Sequence, residues 1–163
     1  MPYDLSIIDL QKIITDKKIA NENNLIIKNY GGFYNVKYNK KALNVSNYKT
    51  LGLFRSLVVN TEGEIVCYSP PKSLNYEYFN QDISNGYIEE FVEGTMVNMF
   101  FNVTMADWEL ATRTTVGAWC KFNCDSDKTF RYMFLSAMNN MGIEFEDFDK
   151  NFTYSFVLQH PEN

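Results

Sequence analysis

The stretch Tyr87-Ile-Glu-Glu-Phe91-Val-Glu93-Gly94-Thr95-Met-Val-Asn-Met-Phe-Phe101, followed by Trp108-Glu-Leu-Ala-Thr112-Arg113-Thr114-Thr115, reads as two strands joined by the polar loop 102–107. Side chains two apart share one face of a strand, so Val92, Met96 and Phe100 are expected on a common face. Gly94 interrupts the run. A glycine inside a strand marks a bulge, or a point where a ligand or another backbone comes close. Thr112, Arg113, Thr114 and Thr115 set hydroxyls around one guanidinium, a group that suits an anion such as phosphate.

Working outward, Leu25–Tyr30 and Phe33–Tyr38 read as strands across a Gly31-Gly32 turn. Leu53–Val59 and Ile65–Tyr68 read as a second hairpin, turning at Thr61-Glu62-Gly63-Glu64 and ended by Pro70 and Pro71, which cannot donate to a sheet ladder. Residues 4–18 read as a helix capped by Asp4 or Ser6, with Ile7, Leu10, Ile13 and Ile14 at helical spacing. A later helix, capped by Ser126 or Asp127, carries the apolar stripe Phe130, Met133, Phe134, Ala137 and Met141 and stops at Gly142. Phe152–Leu158 is a final strand. The fold class is α+β: an antiparallel sheet core with flanking helices, organised as an N-terminal helix and linker over 1–24 and one domain over 25–163.

The 163 residues, 45% of them hydrophobic, can bury one sizeable core. A net charge of -5 excludes a chain that is basic overall, though not a local basic patch. Three cysteines without a secretory signal fit a reducing compartment. No apolar run approaches the roughly 20 residues of a membrane span, so no membrane partner is expected. The Cys120-x-x-x-Cys124 spacing with Cys67 is unlike a zinc knuckle, and His160 has no nucleophile motif beside it; neither a metal site nor a catalytic triad is expected. Trp108, Trp119 and the many Tyr and Phe can stack bases, but at strand and helix spacing they read first as core.

Val92-Glu93-Gly94-Thr95-Met96-Val97 resembles the nucleotide-attachment motif of ATP-dependent, bacteriophage-type RNA ligases: a nucleophilic Lys, any residue, an acidic residue, Gly and a small hydroxyl residue. Glu93, Gly94 and Thr95 fill the last three positions, while Phe91 stands where the Lys belongs. The order of other motifs is also similar, with Arg55 opening a preceding strand, Ser69-Pro70-Pro71-Lys72-Ser73-Leu74-Asn75-Tyr76 after it, and a late strand running into Pro161-Glu162-Asn163. The family continues to a Lys-x-Lys motif that this sequence stops short of, and Val157 stands where the family strand carries a metal-associated Glu. The resemblance implies a nucleotidyltransferase (adenylation) fold lacking its C-terminal part, of the kind encoded by large eukaryotic DNA viruses. It further implies a place in the cytoplasm of an infected cell or in the virion.

Phe has no lone pair with which to attack the α-phosphorus of ATP, so the adenylation step is expected to be lost. The resemblance then implies a domain that binds nucleotide, RNA or a viral protein partner, with Arg55, Lys72, Glu93, Gly94, Thr112 and Arg113 as the nucleotide and phosphate contacts. The alternatives are an active ligase using ATP and Mg²⁺ with a relocated nucleophile, Lys72 or Lys121, and a structural component of a virus particle. Read as ordinary surface, Arg55 and Arg113 would pair with carboxylates, and Glu89, Glu90 and Glu93 would line the wet side of a strand.

Overall fold

The computed structural model describes residues 5, 8–73, 75, 77, 84, 86–122 and 127–161. Its core is two antiparallel sheets. The first is a meander of β1 (Leu25–Asn29), β2 (Phe33–Tyr38), β3 (Leu57–Asn60) and β4 (Ile65–Tyr68). The second has β5 (Thr95–Asn102) between β6 (Asp107–Thr112) and β7 (Tyr154–Leu158). Helices α1 (Leu10–Thr15) and α2 (Lys17–Glu22) cover the outer face of the first sheet, and α3 (Phe130–Met141) covers the outer face of the second.

Register explains the layers. Val36 opposes Leu57 and Tyr34 opposes Val59, and all four join Ile13, Ile14 and Leu25 under the first two helices. The alternate residues face the other sheet: Asn35 opposes Val58, Val58 opposes Cys67, and Val58 and Cys67 meet Phe100, Ala111 and Val116 between the sheets. On the far side, Val97, Met99, Trp108 and Leu110 pack under Met133, Phe134 and Met138. Trp108 anchors an aromatic group there, with Phe145, Phe148 and Tyr154 all within 6.4 Å of it by ring centroid.

Both hairpins lie where alternation placed them, with one boundary correction, and both helices differ at their ends from what the sequence suggested. The chain enters β3 only at Leu57, because Leu51–Leu53 closes into a 3-10 turn that buries both leucines; Arg55 therefore precedes the strand. The expected single helix over 4–18 is two helices. Asp16 ends α1 and caps α2, accepting from the backbone N–H groups of Lys18 and Ile19. The suggested caps Asp4 and Ser6 fall outside the described residues. In α3 the cap is Thr129, with Asp127 two residues short of it and Ser126 outside the described residues. Gly142 ends the helix at φ 66°, and Met138 is buried while Met141 is 73% exposed.

The larger correction concerns 87–93, which are not strand. β7 ends opposite Thr95 at Leu158 and β6 ends opposite Val97 at Thr112, so among the described residues no strand continues alongside the chain before Thr95. Val92 thus shares no strand face with Met96 and Phe100. Tyr87, Ile88 and Phe91 stand 95%, 98% and 79% exposed.

Gly94 is the close approach its position suggested. At φ 153°, an added Cβ would lie 2.5 Å from the Leu158 carbonyl oxygen and 2.8 Å from Val157 Cγ1. Backbone cannot yield as a side-chain tip can, so Gly94→Ala should destabilise the fold by about 1–3 kcal/mol. Urea unfolding checks this, with an unchanged midpoint counting against the close approach.

Candidate functional site

The interior between the sheets is polar at one end. Ser56, 2% exposed, is its hub: its hydroxyl donates to the Thr112 carbonyl at 3.1 Å and accepts from Asn35 Nδ2 at 3.2 Å. Its own carbonyl accepts from the Ser69 hydroxyl at 3.0 Å. Since the one Ser56 proton goes to Thr112, the Asn35 amide must present its NH₂ to Ser56, which fixes Asn35 Oδ1 as the other end. That oxygen is buried and has no partner among the described residues. Asn98, on the facing sheet, accepts from the Ser155 hydroxyl at 2.8 Å, while its Nδ2 likewise has none.

Above this layer, β6 turns back on itself. The Thr112 N–H donates to the Thr115 carbonyl at 2.8 Å, so Arg113 and Thr114 form the tip of a tight turn. Three contacts dock the turn on the first sheet: the Ser56 bond, the Tyr30 hydroxyl donating to the Thr114 carbonyl at 2.7 Å, and the Arg113 guanidinium 5.1 Å above the Tyr38 ring. Arg113 Nη2 is buried and without a hydrogen-bond partner, and Arg113 forms no ion pair among the described residues. The cation–π contact recovers part of its lost hydration. The Thr112 and Thr115 hydroxyls turn to each other, at 2.9 Å, and to Cys120 Sγ.

Of the residues singled out in the sequence, Thr112 supplies the carbonyl of the Ser56–Thr112 bond and Arg113 follows it in the turn, while Arg55 is half-buried and adjoins Ser56 in the chain. The others do not join them. Lys72 is exposed, its Nζ bonded to the Ser73 carbonyl at 3.0 Å. Glu93 is exposed and contributes its backbone carbonyl, which accepts from Gln159 Nε2 at 3.0 Å. Gly94 packs on β7, and Lys121 is exposed beside Thr129 ahead of α3. Val157 lies on β7 opposite Met96, 47% exposed. Cys67 is fully buried, and burial pushes its thiol up to about 12, so it is unreactive at neutral pH. Among the described residues no three His, Cys, Asp or Glu side chains gather as a metal would need; Cys124 lies outside them. No described helix is long and apolar enough to cross a membrane.

Sequence reasoning missed Lys28 and Lys37. Lys28 opposes Asn35, and Lys37 is two residues further along β2 on the same face. The Lys37 ammonium is held below its ordinary pKa, first by desolvation and then by the like charges of Lys28, Arg113 and Lys40. None of these four cations forms an ion pair among the described residues. A concentration of unpaired positive charge in an acidic chain is the main electrostatic feature of this end of the molecule.

Compared with known proteins, the chain matches no family model, no curated protein and no solved structure, nucleotidyltransferases among them.

A Lys whose pKa falls on folding opposes folding while protonated, and stability recovers as pH rises through the folded-state value. Lys37→Met should therefore raise the unfolding midpoint at pH 7 in low salt by roughly 1–3 °C, a small effect because solvent screens a partly exposed charge. The gain should shrink at high salt and on approach to the lysine range. A lowered midpoint in a thermal scan would mean that the cations do not repel.

Proposed function

We propose that the chain is a non-adenylating, ligase-like domain that binds the phosphate of a nucleotide or of RNA at the Arg113 turn. The observation that carries this reading is Arg113 Nη2, a charged donor buried with no hydrogen-bond partner among the described residues. Leaving such a group unsatisfied costs about 1–3 kcal/mol or more, and an anion is the ligand that removes the cost. The nearby lysines, which form no ion pair among the described residues, favour the same chemistry.

Loss of adenylation rests on Phe91. It supplies no nucleophile, and the alternative lysines sit in different places: Lys72 Nζ bonds the Ser73 carbonyl, and Lys121 is exposed in a backbone bridge with Thr129. Near-attack geometry with the α-phosphorus requires the amine beside the bound phosphate, and neither lysine is tied to the Arg113 turn. ATP and Mg²⁺ would be ligands in this reading, with no covalent step. A second reading, a docked protein partner, draws on the exposed side chains Tyr87, Ile88 and Phe91.

Incubation with ATP and Mg²⁺ should add no AMP mass by intact-mass spectrometry, whereas ATP or AMP should raise the unfolding midpoint. At a hundredfold excess over Kd the gain is about 2.7 kcal/mol. Arg113→Met should abolish that gain and leave the fold intact. A covalent adenylate would overturn the first half of the proposal, and an unresponsive wild-type protein the second.

A further inference from the structure

The face of β1 and β2 turned toward the second sheet is only partly covered. Over β3 and β4 the cover is complete, with Val58 and Cys67 fully buried. On β1 the residues of the same face emerge: Ile26 is 40% exposed and Lys28 is exposed. The first sheet thus projects past the second as a ledge. Ile26 opposes Lys37 and Lys28 opposes Asn35, so the ledge carries a lysine on each strand, diagonal neighbours about 7–8 Å apart. Arg113 stacks at the end of β2 on the Tyr38 ring, which packs on the opposite face of the sheet, and its charge still acts on Lys37; Lys40 follows just past β2.

From this placement we infer that the β1–β2 ledge is a track for the backbone of single-stranded RNA, leading to the phosphate held at Arg113. The inference rests on the phosphate-binding reading and extends it from one phosphate to a strand. One phosphate cannot reach cations spread over two strands and a turn, whereas consecutive phosphates of a strand can. An edge strand open to solvent gives a strand free entry and exit, and it does not enclose a mononucleotide as a cleft would. The mutual repulsion of the lysines is relieved by polyanion and by nothing in the described protein. Lys28, Lys37, Lys40 and Arg113 make four phosphate contacts available.

The test is fluorescence anisotropy with a 5′-phosphorylated single-stranded RNA of about twelve nucleotides, within the usual site sizes, titrated between low and moderate salt. Four contacts predict a slope of log K against log salt near -2.8, hence a loss of about fifty-fold in affinity over a fourfold rise in salt. The double variant Lys28→Gln, Lys37→Gln should cut the slope to about -1.4. Lys28→Glu alone, at an exposed position that cannot disturb packing, should also weaken binding and flatten the slope. Unchanged slopes in these variants would remove the RNA from the ledge and overturn the inference. Stabilisation by ATP without RNA binding would overturn it too, while leaving the phosphate site at Arg113 standing. If neither ligand acts, both readings fall.

Discussion

The hydroxyl of Ser56 holds the two sheets in register. One proton and one lone pair tie three segments: β6 through the Thr112 carbonyl, β2 through Asn35, and β3 by its own place in the chain. The Ser69 N–H and hydroxyl both reach the Ser56 carbonyl, so the chain leaving β4 joins the same point. The Tyr30 and Thr153 hydroxyls also donate across to the Thr114 and Val66 carbonyls, whereas the contacts of Val58, Cys67, Phe100 and Ala111 are apolar and tolerate sliding. A directional bond does not. Ser56, together with the Tyr30 hydroxyl, thereby fixes where the Thr112–Thr115 turn sits, and the turn carries Arg113 to the Tyr38 ring.

This polar layer works against stability. Apolar residues of similar volume at positions 35 and 98 would fill the interior without leaving an amide oxygen and an amide nitrogen unsatisfied. Arg113 adds a buried charged nitrogen, and Lys37 adds an ammonium desolvated among like charges. These costs do not scatter over the molecule. They gather at one end of the inter-sheet space, while the opposite faces of both sheets are packed with Leu, Val, Met and aromatic side chains in the ordinary way.

Much of the fold was legible because its strands obey period two and its hairpins carry glycine turns. Phe33–Tyr38 and Ile65–Tyr68 lie where the pattern put them. What misled was composition without neighbours: Tyr87–Val92 has strand-like residues but no strand beside it among the described residues, and pairing is a property of the tertiary fold that a local pattern does not contain. The helix over 4–18 failed for a local reason, since Asp16 satisfies more backbone donors as a cap than inside a helix. Arg113 was visible as a guanidinium set in threonines. Lys28 and Lys37 were not, because polar residues alternating with apolar ones read as a solvent face. Only the Gly31-Gly32 register, which sets Lys28 against Asn35 and leaves Lys37 two residues along the same face, offered a signal.

The same geometry bears on a packing block against a binding domain. A packing block gains from burying its apolar surface and from neutralising its charges, and α3 with the aromatic group around Trp108 meets both demands, down to the 2.6 Å pairing of Arg131 with Glu109. The Arg113 end meets neither. Nothing about the backbone there forbids a carboxylate: the ledge is open, and a glutamate at the position of Ile26 would lie directly opposite Lys37. Among the described residues the fold pairs Arg131 of α3 with Glu109 of β6 yet leaves Arg113, Lys28, Lys37 and Lys40 without an ion pair at the edge of the other sheet, the arrangement that the proposed phosphate ligand would neutralise.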